Sequence, residues 1–124
     1  MRNDSPFSGA ACPPSNRPMT RREKIEAMLA EEPDDVFLRY SLAMEQEKAR
    51  EHDGSIALLR GLMTEQPPYV PAFFRAGQQL ASIGRIEEAR TALRDGIEHA
   101  RRQGDTHAAG EMSEFLASLG AVGE

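Results

Sequence analysis

Apolar residues recur every three or four positions from Thr20 onward, and turn-forming residues cut this stretch into six segments. That period places the apolar side chains on one face of a helix. The first segment, about 20–32, opens on Thr20 and Glu23 in the S/T-x-x-E spacing of a capping box. Ile25, Met28 and Leu29 form its stripe, and Pro33 stops it. The second, about 34–50, starts at Asp34-Asp35 and carries Phe37, Tyr40, Leu42, Ala43 and Met44. A turn at His52-Asp53-Gly54 leads to a third, about 55–65, with Ile56, Leu58, Leu59, Leu62 and Met63, closed by Pro67-Pro68.

The fourth segment, about 70–83, has Pro71 in its first turn, where a missing amide donor is harmless. Phe73, Ala76, Leu80 and Ile83 mark its apolar face, and Gly84 supplies the left-handed backbone that ends a helix. The fifth, about 86–102, bears Ile86, Ala89, Leu93 and Ile97, with Arg101-Arg102 against the negative end of its dipole. Gly104-Asp105 breaks the chain again before a sixth helix marked by Ala108, Met112, Phe115, Leu116 and Leu119. Helices joined this tightly stack as antiparallel hairpins, so an all-α fold is expected. Gly77 lies inside a helix, where glycine costs about 1 kcal/mol relative to alanine. Its expected return is close approach to Ala89 on the next helix.

An internal period explains these placements. Ala43 and Gly77 differ by 34 residues, as do Ser55 and Ala89, Tyr40 and Phe74, Leu59 and Leu93, and Met63 and Ile97. Small residues align with small ones and large apolar residues with large ones. A helix–turn–helix period of 34 is the tetratricopeptide length. The stretch AFFRAGQQLASIGRIEEARTALRDGI (72–97) resembles a tetratricopeptide repeat. Phe73 stands at its large aromatic site, Gly77 and Ala89 at its small sites, Leu80 and Leu93 at its bulky sites and Gly84 at its turn. In 36–69 the match departs at Arg39, where an aromatic belongs, and at Arg50, where the turn glycine belongs, while Pro67 matches the closing proline. The resemblance implies an α-solenoid with repeats at about 36–69 and 70–103, between capping helices at about 20–32 and 105–120. The last helix aligns with a first helix after a one-residue insertion near Gln103-Gly104, which puts Ala108, Met112 and Phe115 at the aromatic, small and bulky sites. Residues 1–18, with four prolines and no apolar period, read as a disordered tail, and Met19 begins the folded part.

Composition narrows the chemistry. The 124 residues carry 15 basic and 20 acidic side chains, a formal net charge of −5 with the two signs interleaved. No concentrated positive field is available for a phosphate backbone, so no nucleic acid is expected. Cys12 is the only cysteine, and no apolar run approaches the ~20 residues of a membrane helix. No hydrophobic core of a secretory signal precedes Ala10-Ala11-Cys12, so a cytoplasmic, non-membrane protein is expected. His52, His99 and His107 form no metal-binding pair, no glycine-rich loop follows a strand, and no serine has a local base. No enzyme, cofactor or metal is expected.

In the tetratricopeptide family the first helices of successive repeats line a concave face that binds an extended peptide or a partner helix. Carried over by position, that face comprises Phe37, Tyr40, Met44, Glu47 and Lys48 from one repeat and Phe74, Gln78, Ala81 and Ser82, with Arg75 at the edge, from the next. Tyr40 has two places open to it, the groove wall or the core volume left by Arg39. Phe73 and Phe74 are neighbours and cannot point the same way, which sends Phe74 to the groove. Tyr40 and Phe74 stand where some members carry lysine, and Met44 and Gln78 where they carry asparagine, so a clamp for a chain-terminal carboxylate is not expected. The resemblance implies a small adaptor for a protein partner, monomeric or weakly homodimeric. The alternative is a structural protein that self-associates through its apolar groove or through Phe115, Leu116 and Leu119 of its last helix.

Overall fold

The computed structural model describes residues 17–122, and every regular element among them is an α-helix. The order is α1 (Arg21–Glu31), α2 (Val36–Lys48), α3 (His52–Met63), α4 (Val70–Ser82), α5 (Ile86–Arg102) and α6 (Thr106–Val122). The expected tail, 1–18, falls outside the described residues except for Arg17 and Pro18, as does Cys12. Arg17 pairs with Glu23 at 2.9 Å. The expected capping box is present: the Thr20 hydroxyl accepts from the Glu23 amide at 3.1 Å, and the Glu23 carboxylate accepts from the Thr20 amide at 2.9 Å. Asp35 caps α2 by accepting from the Leu38 amide at 2.8 Å.

Three helix reversals share one backbone device. Arg50, Gly84 and Gly104 have φ of 64°, 85° and 80°. At each, the following amide reaches back over six residues: Glu51 to the Gln46 carbonyl at 2.9 Å, Arg85 to Leu80 at 2.9 Å and Asp105 to Ala100 at 2.8 Å. These are Schellman closures, which satisfy the last carbonyls of α2, α4 and α5. The turn therefore sits at Arg50, and His52-Asp53-Gly54, expected to be the turn, is the first turn of α3. Glycine suits that helical position because a Cβ on Gly54 would meet the Gln46 side chain of α2 at 3.0 Å.

Each helix packs chiefly on its chain neighbours, α4 with α5 and α5 with α6 most extensively. Leu59, Leu62, Leu80, Leu93 and Met112 are fully buried along the stack. Gly77 lies nearest to Leu93: an added Cβ would lie 2.7 Å from the Leu93 side chain. The large apolar residue of α5 fills the notch that glycine leaves in α4. Gly96 makes a closer approach still, its missing Cβ lying 2.4 Å from the Phe73 Cβ and 2.6 Å from the Met112 sulfur. α5 is thus thinned where α4 and α6 press on it from two sides. α6 begins 36 residues after α4 (106 − 70), two more than the period where one was expected. Ala109, Met112 and Leu119 are its buried residues, while Ala108 is only half-buried.

The 34-residue relation persists with changed chemistry. Arg39 reaches Glu65 at 2.8 Å. Thirty-four residues on, Phe73 stacks on His99 with ring centroids 5.3 Å apart. An ion pair to the residues just past α3 and an aromatic stack on α5 thus anchor the first helix of each repeat at corresponding positions. A buried polar chain also ties the two hairpins together. Ser55, from α3, donates to the Ala43 carbonyl of α2 at 2.7 Å and accepts from the Gln79 amide of α4 at 3.0 Å. The Gln79 oxygen lies 2.7 Å from His52 Nδ1. A carbonyl can only accept, so every later member has its direction set, and His52 carries its proton on Nδ1.

Arg50 holds a left-handed conformation that costs a non-glycine residue about 1–2 kcal/mol, part of which glycine returns through its freer unfolded chain. Arg50→Gly raises stability by about 0.5–1 kcal/mol in chemical denaturation, and Gly84→Ala, at the matching turn, lowers it by a similar amount. At Gly96 the obstructing atom is a Cβ fixed to backbone, so Gly96→Ala forces α4, α5 and α6 apart. It lowers stability by about 1–3 kcal/mol in the same measurement.

Candidate functional site

Helical spacing aligns Phe37, Tyr40, Met44 and Lys48 along one side of α2, and Phe74, Gln78 and Ser82 along the matching side of α4. Two adjacent hollows lie along this side of the stack. The first, about 360 Å³, is walled by Tyr40 of α2, by Val70, Pro71, Phe74, Arg75 and Gln78 of α4, and by Asp105, Ala108, Glu111 and Met112 at α6. The second, about 460 Å³, is walled by Arg21 of α1, by Met44, Glu45, Glu47 and Lys48 of α2, and by Arg75. Arg75 alone belongs to both. Of the residues expected on the concave face, Tyr40, Phe74, Arg75 and Gln78 meet in the first hollow, and Met44, Glu47, Lys48 and Arg75 in the second. Phe37, 66% exposed, lies outside both. Ser82 also lies outside, its hydroxyl donating to the Gln79 carbonyl at 2.7 Å.

Packing behind the aromatic walls holds them in place. Tyr40 meets Tyr69 edge-on with centroids 5.3 Å apart, so it leans on the core and lines the hollow at once. Burial pushes the Tyr69 phenol up from its ordinary pKa, and Tyr40 adds to the shift. Phe74 meets Phe115 of α6 edge-on at 6.1 Å. The α6 side of the first hollow escaped sequence reasoning, which treated that helix as a cap. Asp105, Ala108 and Glu111, polar or small at every third position, were its available signal.

Charges are arranged unevenly. In the second hollow Glu45 accepts from Arg21 at 2.9 Å and lies 3.2 Å from Lys48. Desolvation pushes the Glu45 carboxyl up, but the hydrogen bonds from Lys48 and Arg21 outweigh it and leave the group below its ordinary range. Arg75 has no carboxylate within ion-pair distance among the described residues. Asp105, across the first hollow, is engaged in capping α6 through the Ala108 amide at 3.1 Å. Among the described residues, no group of three or more His, Cys, Asp or Glu is placed to hold a metal ion. No helix among them is long and apolar enough to cross a membrane.

No family model matches the chain. A curated TPR repeat-containing protein of Pseudomonas aeruginosa is 31% identical over 103 residues, covering 78% of this chain and 92% of that protein. Among solved structures, a protein from Bordetella parapertussis superposes with a TM-score of 0.72 at 29% identity, over 83% of this chain and 90% of its own. A tetratricopeptide repeat domain protein from Salinibacter ruber superposes with a TM-score of 0.65 at 27% identity, over 71% of this chain and 98% of its own.

Beside the second hollow, α1 buries only Ile25 and is held largely by ion pairs. Arg22 reaches Glu51 through two bonds of 2.9 Å and Glu26 through one of 3.1 Å. The bond from Arg22 holds the Glu51 carboxyl below its ordinary range. Bonds from Arg17 and from the Thr20 amide lower Glu23 from 4.5 to about 2. Carboxyls lowered in the folded state stabilise it above their unfolded pKa and lose that contribution as pH falls towards the folded value. Acidification from pH 6 to about pH 2.5 therefore lowers the melting temperature and frees the α1 amides to hydrogen exchange before those of α4 and α5. Arg22→Gln shows a smaller acid effect.

Proposed function

Because the chain belongs to the tetratricopeptide repeat family, we propose that it is a small non-catalytic adaptor. It binds an extended peptide or amphipathic helix of another protein along the side formed by α2, α4 and α6. The observation that carries this reading is the pair of adjoining open hollows, which bring Tyr40, Phe74, Met44 and Arg75 to one face. Aromatic walls braced from behind lose little side-chain freedom on binding, which favours affinity. Methionine adapts to apolar partners of varied shape. The interleaved surface charge suits protein partners better than a phosphate backbone, and a cytoplasmic setting accords with this reading.

Self-association is the weaker alternative, because the apolar side chains of α6 are largely engaged within the chain. Leu119 is buried, and Phe115 rests on Phe74.

Affinity capture from the source cell followed by titration tests the adaptor. Tyr40→Ala and Phe74→Ala each weaken the recovered partner by about 2 kcal/mol, roughly thirtyfold, as expected of buried aromatic anchors. Melting curves of both variants separate loss of binding from loss of fold. Associations unchanged in both variants would remove the groove from the mechanism, and a clean monomer in sedimentation at micromolar concentration would dispose of self-association.

A further inference from the structure

Arg75 occupies an unusual place. It is the one side chain on the walls of both hollows, and among the described residues no carboxylate pairs with it. The other two cations of the second hollow, Arg21 and Lys48, are already engaged by Glu45. Formal charge differs across the pair of hollows. The second holds Arg21, Lys48 and Arg75 against Glu45 and Glu47, a net +1. The first holds Arg75 against Asp105 and Glu111, a net −1, around an otherwise mostly apolar wall.

Resting on the adaptor reading, we propose that the partner segment carries a large apolar side chain and, within about three residues of it, an Asp or Glu side chain. The apolar group fills the hollow between Tyr40 and Phe74, and the carboxylate pairs with Arg75 from the side of the second hollow. Approach from the α6 side would bring the carboxylate against Asp105 and Glu111. The acidic group belongs to a side chain and not to a chain end, because both hollows continue away from Arg75 and a terminus there would leave one empty. An extended chain advances about 3.3 Å per residue, so neighbouring residues can serve the two hollows together.

The test is selection of random peptides of about twelve residues, displayed on phage with their C-termini fused, on the immobilised full chain. Selected sequences are then synthesised with amidated C-termini. The expected result is enrichment of Asp or Glu near an aromatic or large aliphatic residue. Replacing that acid by Asn or Gln weakens binding roughly tenfold or more, the size of a charge-assisted hydrogen bond. Arg75→Gln, whose melting curve stays that of the unaltered chain, produces the same loss and leaves the amide-bearing peptides unaffected. Arg75→Glu shifts selection towards basic peptides. Enriched peptides with no acidic preference, or acidic peptides indifferent to Arg75→Gln, overturn the carboxylate assignment and leave the adaptor standing. Free-acid peptides that bind as tightly without the acidic side chain overturn the choice of side chain over terminus. No enrichment above a blank surface overturns both the assignment and the peptide groove beneath it.

Discussion

In a short solenoid each helix pair can bury its apolar face only against its neighbours, so the distance at which adjacent helices approach governs everything built on them. Here that distance is set most tightly at Gly96, where Phe73 of α4 and Met112 of α6 come within reach of the α5 backbone. A side chain there would push α6 away from α4. The first hollow has one wall on each of those helices, so its width follows from a contact on the far side of the stack. Thirty-four residues earlier the same position holds Leu62, fully buried. There the place corresponding to Phe73 is taken by Arg39, which turns to Glu65, and the next first helix offers the small pair Ala76-Gly77. Volume removed at one layer is restored at the other, as close packing demands.

Cohesion is unequal along the stack. From α4 to α6 it comes from large apolar side chains and the Phe73–His99 and Phe74–Phe115 contacts. Between α2, α3 and α4 a buried chain of polar groups, from the Ala43 carbonyl through Ser55 and Gln79 to His52, supplements the leucines. Such a chain is directional and fixes the register of the two hairpins more narrowly than apolar contact alone. At the N-terminal end, exposed ion pairs take over around a helix with one buried residue. Exposed pairs contribute little each and are screened by salt, so α1 is the first part of the stack to open.

Most of the fold was legible because its signals are local. The capping box at Thr20, the stops at Pro33 and Gly84, and the apolar period each act within a few residues. The 34-residue offset then converted local elements into an architecture. Where sequence reasoning missed, the deciding neighbour was distant in the chain. Nothing near Gly77 announces that its partner is Leu93, and Gly96 was passed over because its reasons lie on two other helices. Gln79 reads as a surface amide until Ser55 and His52 are brought to it. Arg50 lacks the glycine that would mark its left-handed turn in composition, and only the 34-residue offset from Gly84 points to it. The α2 and α4 walls of the hollows could be listed from position, but the α6 wall could not, because α6 had been read as a cap.

Comparing the two hairpins shows which positions the scaffold constrains. Several buried positions keep their size over 34 residues, Ala43 with Gly77, Ser55 with Ala89 and Leu59 with Leu93, while the position of the tightest contact changes from Leu62 to Gly96. Along the sides facing the hollows only the aromatic class survives, in Tyr40 and Phe74, while Met44 changes to Gln78 and Lys48 to Ser82. Met44, Lys48 and Gln78 line open volume, where a change of charge or shape is easily accommodated. Divergence there leaves the stack intact and alters what the groove presents. The hollows carry opposite formal net charge beside helix pairs that repeat at 34 residues. On the proposed adaptor reading, a partner lying across both would meet an ordered pair of surfaces, with its orientation read by charge and the aromatics supplying contact area common to both.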